Sequence, residues 1–521
     1  MADNVIDTDK DIEKKAYKFK DYLVKYNLKN WFFISFLVLL LIVFITRIKT
    51  SFIDTIWNDE AVYMWNAVRL LMEPSYLFTT SFLNDAIIPQ LIIAFFKLFT
   101  TTFNAGRLMA LFYGIFGIVA VYFLGKEIKN EATGLIAAIL LSFNHLYWFI
   151  GSKALIDVPI AAIIVFSAYC LLKFEKEQNK KWAIIAGISS ILPVITKGVG
   201  SLVLFIFPIY FLITRHKNIL KDKLGLLVLV FPVGILTVGN LVYYFIAGTF
   251  FTTKIFTLIF NFSGASTPYN FTLNLLSFVL NWWISPFLIL GIVLSFIYRK
   301  REDILLLVFF FVYLLFTEFS LGRGTEVIPR FLLTVLPIAV VLVAKTFSEI
   351  IIYLKILTKI KLSIWIFVLL TILMVIPSIN IATKSHFSDQ RKFSFSGYQE
   401  AGAWLKENAA REALIYSTAP RQIRTFAERE YKRELYNKDL GGTTVYLSHF
   451  KTLDDFMNET KDKDNIYLHL DIFESGQPSW ASPITQEKVT QLMTLGFTPV
   501  KEIVLPFNSQ PVIVGLILYK Q

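Results

Sequence analysis

Residues 31–46 read WFFISFLVLLLIVFIT, and after a short polar stretch residues 57–63 read WNDEAVY. The first run is apolar enough to predict a membrane-spanning helix. It leaves two adjacent carboxylates, Asp59 and Glu60, at the point where the chain returns to water. Carboxylates at a membrane edge are costly unless they are solvated or paired, so they indicate a functional site. The alternative is that Asn58 or Asp59 only caps the helix that follows.

The composition predicts a polytopic membrane protein. Of 521 residues, 55% are hydrophobic and only 17% are charged, which is more apolar surface than a soluble protein buries. The net charge is +12, but Lys and Arg are scattered between apolar runs, as in cytoplasmic loops, so no nucleic-acid partner is expected. The single cysteine, Cys170, lies in an apolar run and excludes an intrachain disulfide.

The chain divides by composition into three regions. Residues 1–30 are polar and lysine-rich and predict a cytoplasmic N-terminal segment, followed by a transmembrane domain over 31–382 with a large first external loop at 47–105. After the first span, the apolar runs predict further spans at about 106–124, 132–150, 155–174, 182–196, 198–214, 223–246, 271–297, 303–319, 327–347 and 361–380. This count of about eleven puts every strongly basic loop on the cytoplasmic side.

An odd number of spans predicts that residues 383–521 lie outside the cytoplasm. Helical patterns there alternate with strand-like runs such as 413–417, 465–470, 497–505 and 512–519. The fold class is therefore predicted to be mainly α: a polytopic helical protein of the cell membrane, with short juxtamembrane helices and a C-terminal extracytoplasmic α/β domain.

The polar residues at the predicted external span ends combine carboxylates with cations, whereas the cytoplasmic loops offer mostly lysines. Carboxylates can deprotonate an attacking hydroxyl, and Lys or Arg can neutralise the phosphate of a leaving group. No phosphate-binding P-loop or dinucleotide fingerprint is present, so a membrane-embedded sugar carrier is the expected donor. The candidate residues are Asp59, Glu60, Tyr63, Arg107, Asp157, Lys197, Arg323, Glu326 and Arg330.

Several motifs, taken in order, resemble the C-type membrane glycosyltransferases. They resemble most closely the group that contains the protein O-mannosyltransferases and the lipid A aminoarabinose transferase, classed as glycosyltransferase family 39. The motifs are Trp57-Asn58-Asp59-Glu60-Ala61 after the first span, Arg107 at the second, Ala154-Leu155-Ile156-Asp157-Val158-Pro159, Thr196-Lys197-Gly198 and Pro329-Arg330-Phe331-Leu332-Leu333. The resemblance covers about residues 31–345.

The resemblance implies transfer of a single sugar from a polyprenyl (dolichyl or undecaprenyl) phosphate to a protein, lipid or glycan acceptor on the extracytoplasmic side. It implies Asp59 as the essential carboxylate of the first loop, with Glu60 beside it and Asp157 as the acidic residue of the second loop. Lys197 is implied as a contact to the donor phosphate. The arginine that often follows the Asp-Glu pair in this family is absent here, where Val62 and other non-basic residues stand. Further phosphate contacts are therefore expected from Arg330 first, then Arg323 and Arg107, with Tyr63 and Glu326 as substrate contacts.

The sequence leaves several alternatives open. Asp157 could cap its helix, Lys197 and Arg330 could anchor at the lipid interface, and Arg107 is favoured to be a simple span-end residue. His145 is read as a satisfied polar residue. No zinc spacing is present, so no dedicated zinc site is predicted, and Mg²⁺ or Mn²⁺ held by Asp59, Glu60 or Asp157 stays open. A transporter or flippase of lipid-linked sugars is the main alternative function, and an assembly scaffold is a third.

Overall fold

The computed structural model describes residues 31–53, 55–79, 86–215, 221–248, 250, 270–321, 329–358, 364–388, 396–429, 444–473, 477–507 and 510–521. The predicted cytoplasmic segment 1–30 lies outside these residues. The N-terminal part is helical through Phe387, and the C-terminal part contains a five-stranded sheet.

The helical part consists of α-helices, some of which are joined by short turns. They are α1 Trp31–Ser51, α2 Asn58–Met72, α3 Ile87–Lys97, α4 Thr102–Ile128, α5 Glu131–Ser142, α6 His145–Ile150, α7 Asp157–Glu177, α8 Lys180–Val194, α9 Val203–Arg215, α10 Lys223–Ala247, α11 Phe271–Asn274, α12 Ser285–Tyr298, α13 Arg301–Phe316, α14 Leu336–Thr358 and α15 Ile364–Phe387. Short 3₁₀ turns at Pro74–Phe78, Gly198–Leu202 and Pro329–Thr334 connect some of them, and π-helical turns form at Leu275–Val279 and Thr317–Leu321.

Six helical segments in the described ranges are long and apolar enough to cross a membrane. They are Trp31–Ser51, Thr102–Ile128, Asp157–Glu177, Gly198–Arg215, Lys223–Ile246 and Trp365–Phe387. Each coincides with a predicted span, and the chain is accordingly a membrane protein. The predicted spans at 132–150, 182–196, 271–297 and 303–319 contain helices that are shorter or interrupted, and the span predicted at 327–347 overlaps the 23-residue helix α14. The count of about eleven is therefore not confirmed.

Two of the predicted spans are interrupted in the structure. The run predicted at 132–150 divides into α5 and α6 because Asn144 caps α6, its side chain accepting a hydrogen bond from the Tyr147 backbone. Arg47 of α1 donates to the carbonyl oxygens of Ser142 (3.2 Å) and Tyr147 (3.4 Å) across this break. The run predicted at 271–297 is interrupted at Asn281, whose φ of 62° is left-handed.

Helix α4 lies at the centre of the helical part and packs along α5 and α7. Its close approach to α5 depends on glycine in both helices. A Cβ atom at Gly134 would lie 2.4 Å from the backbone oxygen of Tyr122, and one at Gly125 would lie 2.9 Å from the Gly134 Cα. The two backbones are therefore in direct contact, a packing that small residues permit in membrane helices.

The C-terminal sheet has the strand order β2-β1-β3-β5-β4, with parallel pairs β1–β2 and β1–β3 and antiparallel pairs β3–β5 and β4–β5. The strands are β1 Leu414–Ser417, β2 Thr444–Tyr446, β3 Ile466–Asp471, β4 Thr498–Phe507 and β5 Gln510–Lys520, and the helices are α16 Tyr398–Asn408, α17 Pro420–Ala427, α18 Leu453–Thr460 and α19 Gln486–Thr494. Apolar side chains form two separate clusters in this part. The predicted strands are present, and β2 was not predicted.

A buried polar network joins the carboxyl ends of β1 and β3. Ser417 Oγ lies 2.9 Å from His469 Nδ1, and Tyr398 donates to Asp471 over 3.0 Å. Burial lowers the pKa of His469 to about 4, although Asp471 opposes the shift, so the ring is neutral at neutral pH. Serine, histidine and aspartate are all enclosed, which suits a structural role better than a nucleophilic one.

The sheet-bearing part contacts the helical part through α17, which packs on α2. Thr425, itself buried, donates to the backbone oxygen of Ala61 over 3.0 Å. Arg421 reaches Asn58 Oδ1 at 3.5 Å, and Lys97 of α3 pairs with Glu428 at 3.5 Å. The first residues of the helix that carries Asp59 are thus held against α17.

Candidate functional site

The first turn of α2 presents its two carboxylates in different directions. Glu60 Oε1 accepts a hydrogen bond from the backbone N–H of Trp57 at 3.0 Å, the return contact of a capping box. Successive residues on a helix are rotated by about 100°. Glu60 therefore turns into the protein, where it is fully buried, whereas the Asp59 side chain remains 47% exposed.

Glu60 and Arg107 form a buried ion pair. The Arg107 guanidinium lies 2.6 Å from Glu60 Oε2, which also accepts from the Ala154 backbone N–H at 2.6 Å. Arg107 donates in addition to the backbone oxygens of Ser152 (3.0 Å) and Thr55 (2.8 Å). The structure thus brings Glu60 and Arg107 together, but in a fully enclosed contact that fixes α2 against the loop before α7.

Four other predicted residues form a chain of alternating charges. Arg330 Nη2 lies 2.9 Å from Asp59 Oδ2, and Arg330 Nε lies 3.7 Å from Asp157 Oδ2. Lys197 Nζ completes the chain at 2.7 Å from Asp157 Oδ1. We refer to Asp59, Arg330, Asp157 and Lys197 as the charge chain.

Each member of the charge chain stands at the end of a secondary-structure element. Asp157 is the first residue of α7, Lys197 precedes the 3₁₀ turn Gly198–Leu202, and Arg330 lies in the 3₁₀ turn before α14. Burial alone would lower the pKa of Arg330, but Asp157 and Asp59 outweigh it and raise the pKa. Within the described residues, Arg330 Nε makes no hydrogen bond, although it faces the Asp157 carboxylate at 3.7 Å.

The other predicted site residues divide between those near the charge chain and those outside the described structure. Tyr63, one turn along α2 from Asp59, is close enough to Arg330 to contribute to its raised pKa. Arg323 and Glu326 lie outside the described residues.

A cavity of about 670 Å³ opens beside the charge chain. Asn58, Asp59 and Arg330 line its polar end. The remaining wall is mainly apolar and comes from α6, α15 and the turn after α11: Leu146, Phe149, Ile150, Phe278 and Ile381, with Trp57, His145, Pro329 and Ser385. This shape joins an apolar compartment to a paired carboxylate and guanidinium.

The charge chain also determines what a divalent cation could bind. Both Glu60 oxygens already accept hydrogen bonds, so Glu60 does not fit a metal ligand. Asp59 and Asp157 each face a cationic side chain in this arrangement. In the described ranges, no group of three or more His, Cys, Asp or Glu side chains is arranged to hold a metal ion.

Two features of the site were not predicted from the sequence. His145 lines the cavity although its sequence context suggested an ordinary satisfied residue. Arg421 reaches the first turn of α2 from a separate part of the chain. A single histidine at the start of a helix and a single arginine carry no local pattern that would assign either one to the cavity.

The chain is similar to known proteins in sequence and in fold. The family described as dolichyl-phosphate-mannose-protein mannosyltransferase matches residues 86–243. ArnT from Cupriavidus metallidurans, solved with bound undecaprenyl phosphate, aligns with a TM-score of 0.63 at 12% identity, over 93% of this chain and 97% of that chain. The protein has the fold of the C-type membrane glycosyltransferases. The resemblance inferred from the motifs is confirmed.

Two further proteins are similar to this chain. AglB from Archaeoglobus fulgidus, solved with an inhibitory peptide and a dolichol-phosphate, aligns with a TM-score of 0.57 at 13% identity, over 85% of this chain and 70% of that chain. The dolichyl-phosphooligosaccharide-protein glycotransferase 1 of Pyrococcus horikoshii is 39% identical over 79 residues, which is 15% of this chain. The chain spans 8% of the length of that curated relative. These proteins are thus similar to this chain in fold, and in one case in a short stretch of sequence.

Proposed function

We propose that the protein transfers a single sugar from a polyprenyl phosphate, of the dolichyl or undecaprenyl type, to a hydroxyl-bearing protein, lipid or glycan acceptor on the extracytoplasmic side of the membrane. The observation that carries this proposal is the cavity of about 670 Å³, whose apolar wall ends at Asp59 and Arg330. A lipid chain suits the apolar wall, and a phosphate suits the guanidinium. The domain division, with the catalytic helical part over 31–382 and the α/β part over 383–521, belongs to the same proposal.

The mechanism that suits this arrangement is a direct displacement. The acceptor oxygen attacks the anomeric carbon, the bond between that carbon and the phosphate oxygen breaks, and Asp59 takes the proton from the acceptor hydroxyl. The electron pair of the broken bond remains on the departing polyprenyl phosphate, which gains one negative charge. A single displacement inverts the anomeric centre.

The cations of the charge chain suit the leaving phosphate. Arg330 contacts Asp59, and its Nε makes no hydrogen bond within the described residues, so its guanidinium can hold the base and the phosphate next to each other. Asp157 lies between Arg330 and Lys197 and is almost buried, which favours a positioning role. Lys197, whose side chain is 25% exposed, is the second candidate contact to the phosphate.

The base assignment is tested with the Asp59→Asn variant. We expect transfer to fall by about 10²–10⁴-fold, the usual contribution of a general base, while the melting temperature stays within a few degrees of the wild type. The measurement is transfer of a labelled sugar from polyprenyl phosphate by the purified full-length protein in detergent. Glu73→Gln is the matched control, because Glu73 directly follows α2 and its side chain is 57% exposed.

Two outcomes would contradict the proposal. Wild-type protein that never detaches the labelled sugar but moves the intact donor across a vesicle membrane would be a flippase. Full transfer by Asp59→Asn would instead leave the enzyme in place and remove Asp59 as the base.

A further inference from the structure

His145 is the first residue of α6 and lines the same cavity as Asp59 and Arg330. Only 4% of its surface is exposed. The ring packs edge-on against Phe278, with the ring centroids 4.7 Å apart, and contacts Ser378 of α15. Three segments distant in sequence therefore fix the orientation of this imidazole.

The hydrogen bonds around Ser378 determine which ring nitrogen carries the proton. Ser378 Oγ lies 3.4 Å from two N–H donors, the backbone nitrogen of His145 and the Asn281 side-chain amide. It also lies 3.2 Å from His145 Nδ1. Because the serine oxygen accepts from both N–H groups, its own hydroxyl proton is left for Nδ1. A neutral imidazole that accepts at Nδ1 carries its proton on Nε2.

This assignment leaves a buried donor without an acceptor. Within the described structure, His145 Nε2 has no hydrogen-bond partner. Buried N–H groups are nearly always paired in folded proteins, so an unpaired donor in the wall of a ligand cavity indicates that a ligand atom accepts from it. Several side chains on that wall, among them Leu146, Phe149 and Ile381, are apolar and offer no acceptor.

We propose that His145 binds a phosphate oxygen of the polyprenyl phosphate donor through its Nε2–H group. The proposal rests on the function proposed above, because it assumes that this cavity holds the lipid-linked donor. The phosphate is the group that joins an apolar chain to a sugar, so it lies where apolar and polar walls meet. Here His145 adjoins the apolar wall, and Arg330 supplies the charge.

A neutral donor also suits the change in charge during transfer. The phosphate gains one negative charge when the bond to the sugar breaks, and a hydrogen bond to it strengthens at that moment. Because Ser378 holds the ring in place, this donor needs no reorientation during the reaction. His145 thus complements Arg330, which supplies a full positive charge but is shared with Asp59.

The test compares two substitutions that each replace a different ring nitrogen of His145 with a polar amide atom. His145→Asn retains a polar atom near the Nδ1 position for Ser378 but removes the cavity donor. His145→Gln extends an amide N–H toward the Nε2 position. The probe is undecaprenyl phosphate without a sugar, titrated into full-length protein in nanodiscs. We expect His145→Asn to weaken binding about tenfold or more and His145→Gln to remain within about threefold of the wild type, since hydrogen bonds to charged groups are among the stronger ones.

Each outcome decides a separate question. The inference is supported if His145→Asn binds undecaprenyl phosphate more weakly and His145→Gln does not. The melting temperature of His145→Asn should then be unchanged and its KM for the donor increased. Wild-type affinity in His145→Asn overturns it while the proposed function stands. Equal losses in both variants together with a lowered melting temperature also overturn it, because they indicate a structural role. Failure of the wild type to bind the probe overturns the proposed function itself.

Discussion

Asp59 and Glu60 are neighbours in the chain with opposite environments. Glu60 is fully buried and paired with Arg107, whereas Asp59 is about half exposed and faces Arg330 across the cavity entrance. The motif alone suggested a shared catalytic role for both carboxylates. The geometry supports a division in which Glu60 holds the helix and Asp59 faces the ligand.

We expect Glu60→Gln to destabilise the protein strongly. The substitution leaves the Arg107 guanidinium buried without a counter-charge, and removing one partner of a buried pair costs about 3–5 kcal/mol. The measurement is thermal unfolding of the purified protein, followed by intrinsic fluorescence. Glu131→Gln removes the partner of the partly exposed Lys126, where the expected cost is only about 0–1 kcal/mol. Similar melting temperatures for the two variants would contradict the structural role of Glu60.

At the scale of elements, apolar runs predicted the helices well because burial in lipid is a local property of a segment. The interruptions were not predictable, since they depend on distant partners. Arg47 stabilises the break between α5 and α6 from about a hundred residues away in the sequence. Helix α6, and with it His145, therefore could not be distinguished from the middle of a longer span.

The close packing of α4 against α5 predicts that replacing Gly134 destabilises the protein. A methyl group there would meet the Tyr122 backbone oxygen at 2.4 Å, so α4 and α5 must separate in Gly134→Ala. We expect a loss of roughly 1–3 kcal/mol, typical of overpacking, measured as a lower melting temperature. Gly234→Ala is the matched control: Gly234 lies within α10, and a Cβ atom there has open space. Equal melting temperatures for Gly134→Ala and Gly234→Ala would contradict the prediction.

At the scale of the whole molecule, the charge chain joins segments that lie far apart in sequence. Asp59 and Arg330 are 271 positions apart, yet their side chains are in contact. The sequence identified both as candidates because each stands at the end of an apolar run. It could not pair them, since which span ends adjoin depends on the packing of all the helices between them.

The contact between α17 and α2 makes the second part of the chain relevant to the site. We expect Thr425→Lys to force α17 away from α2, because Thr425 is buried against Ala61 and a lysine charge cannot be solvated there. Sugar transfer should fall about tenfold or more, since 1.4 kcal/mol of lost positioning already corresponds to a factor of ten.

Thr490→Lys is the control for this prediction. Thr490 has the same hydrogen bond to the carbonyl four residues earlier as Thr425, but it is exposed on α19. Both variants are assayed for transfer and for the melting temperature. Unimpaired transfer by Thr425→Lys would show that the site does not depend on contact with the sheet-bearing part.

The capping box on α2 has a consequence for how this chain tolerates mutation. Because the Glu60 carboxylate anchors the helix while the neighbouring Asp59 faces the cavity, one peptide bond separates a position that controls cellular abundance from a position that controls turnover. In a library of all single substitutions, variants at 60 should be depleted from the membrane fraction. Variants at 59 should accumulate normally in the membrane fraction. They should be lost only when cell growth requires the product of the transfer reaction.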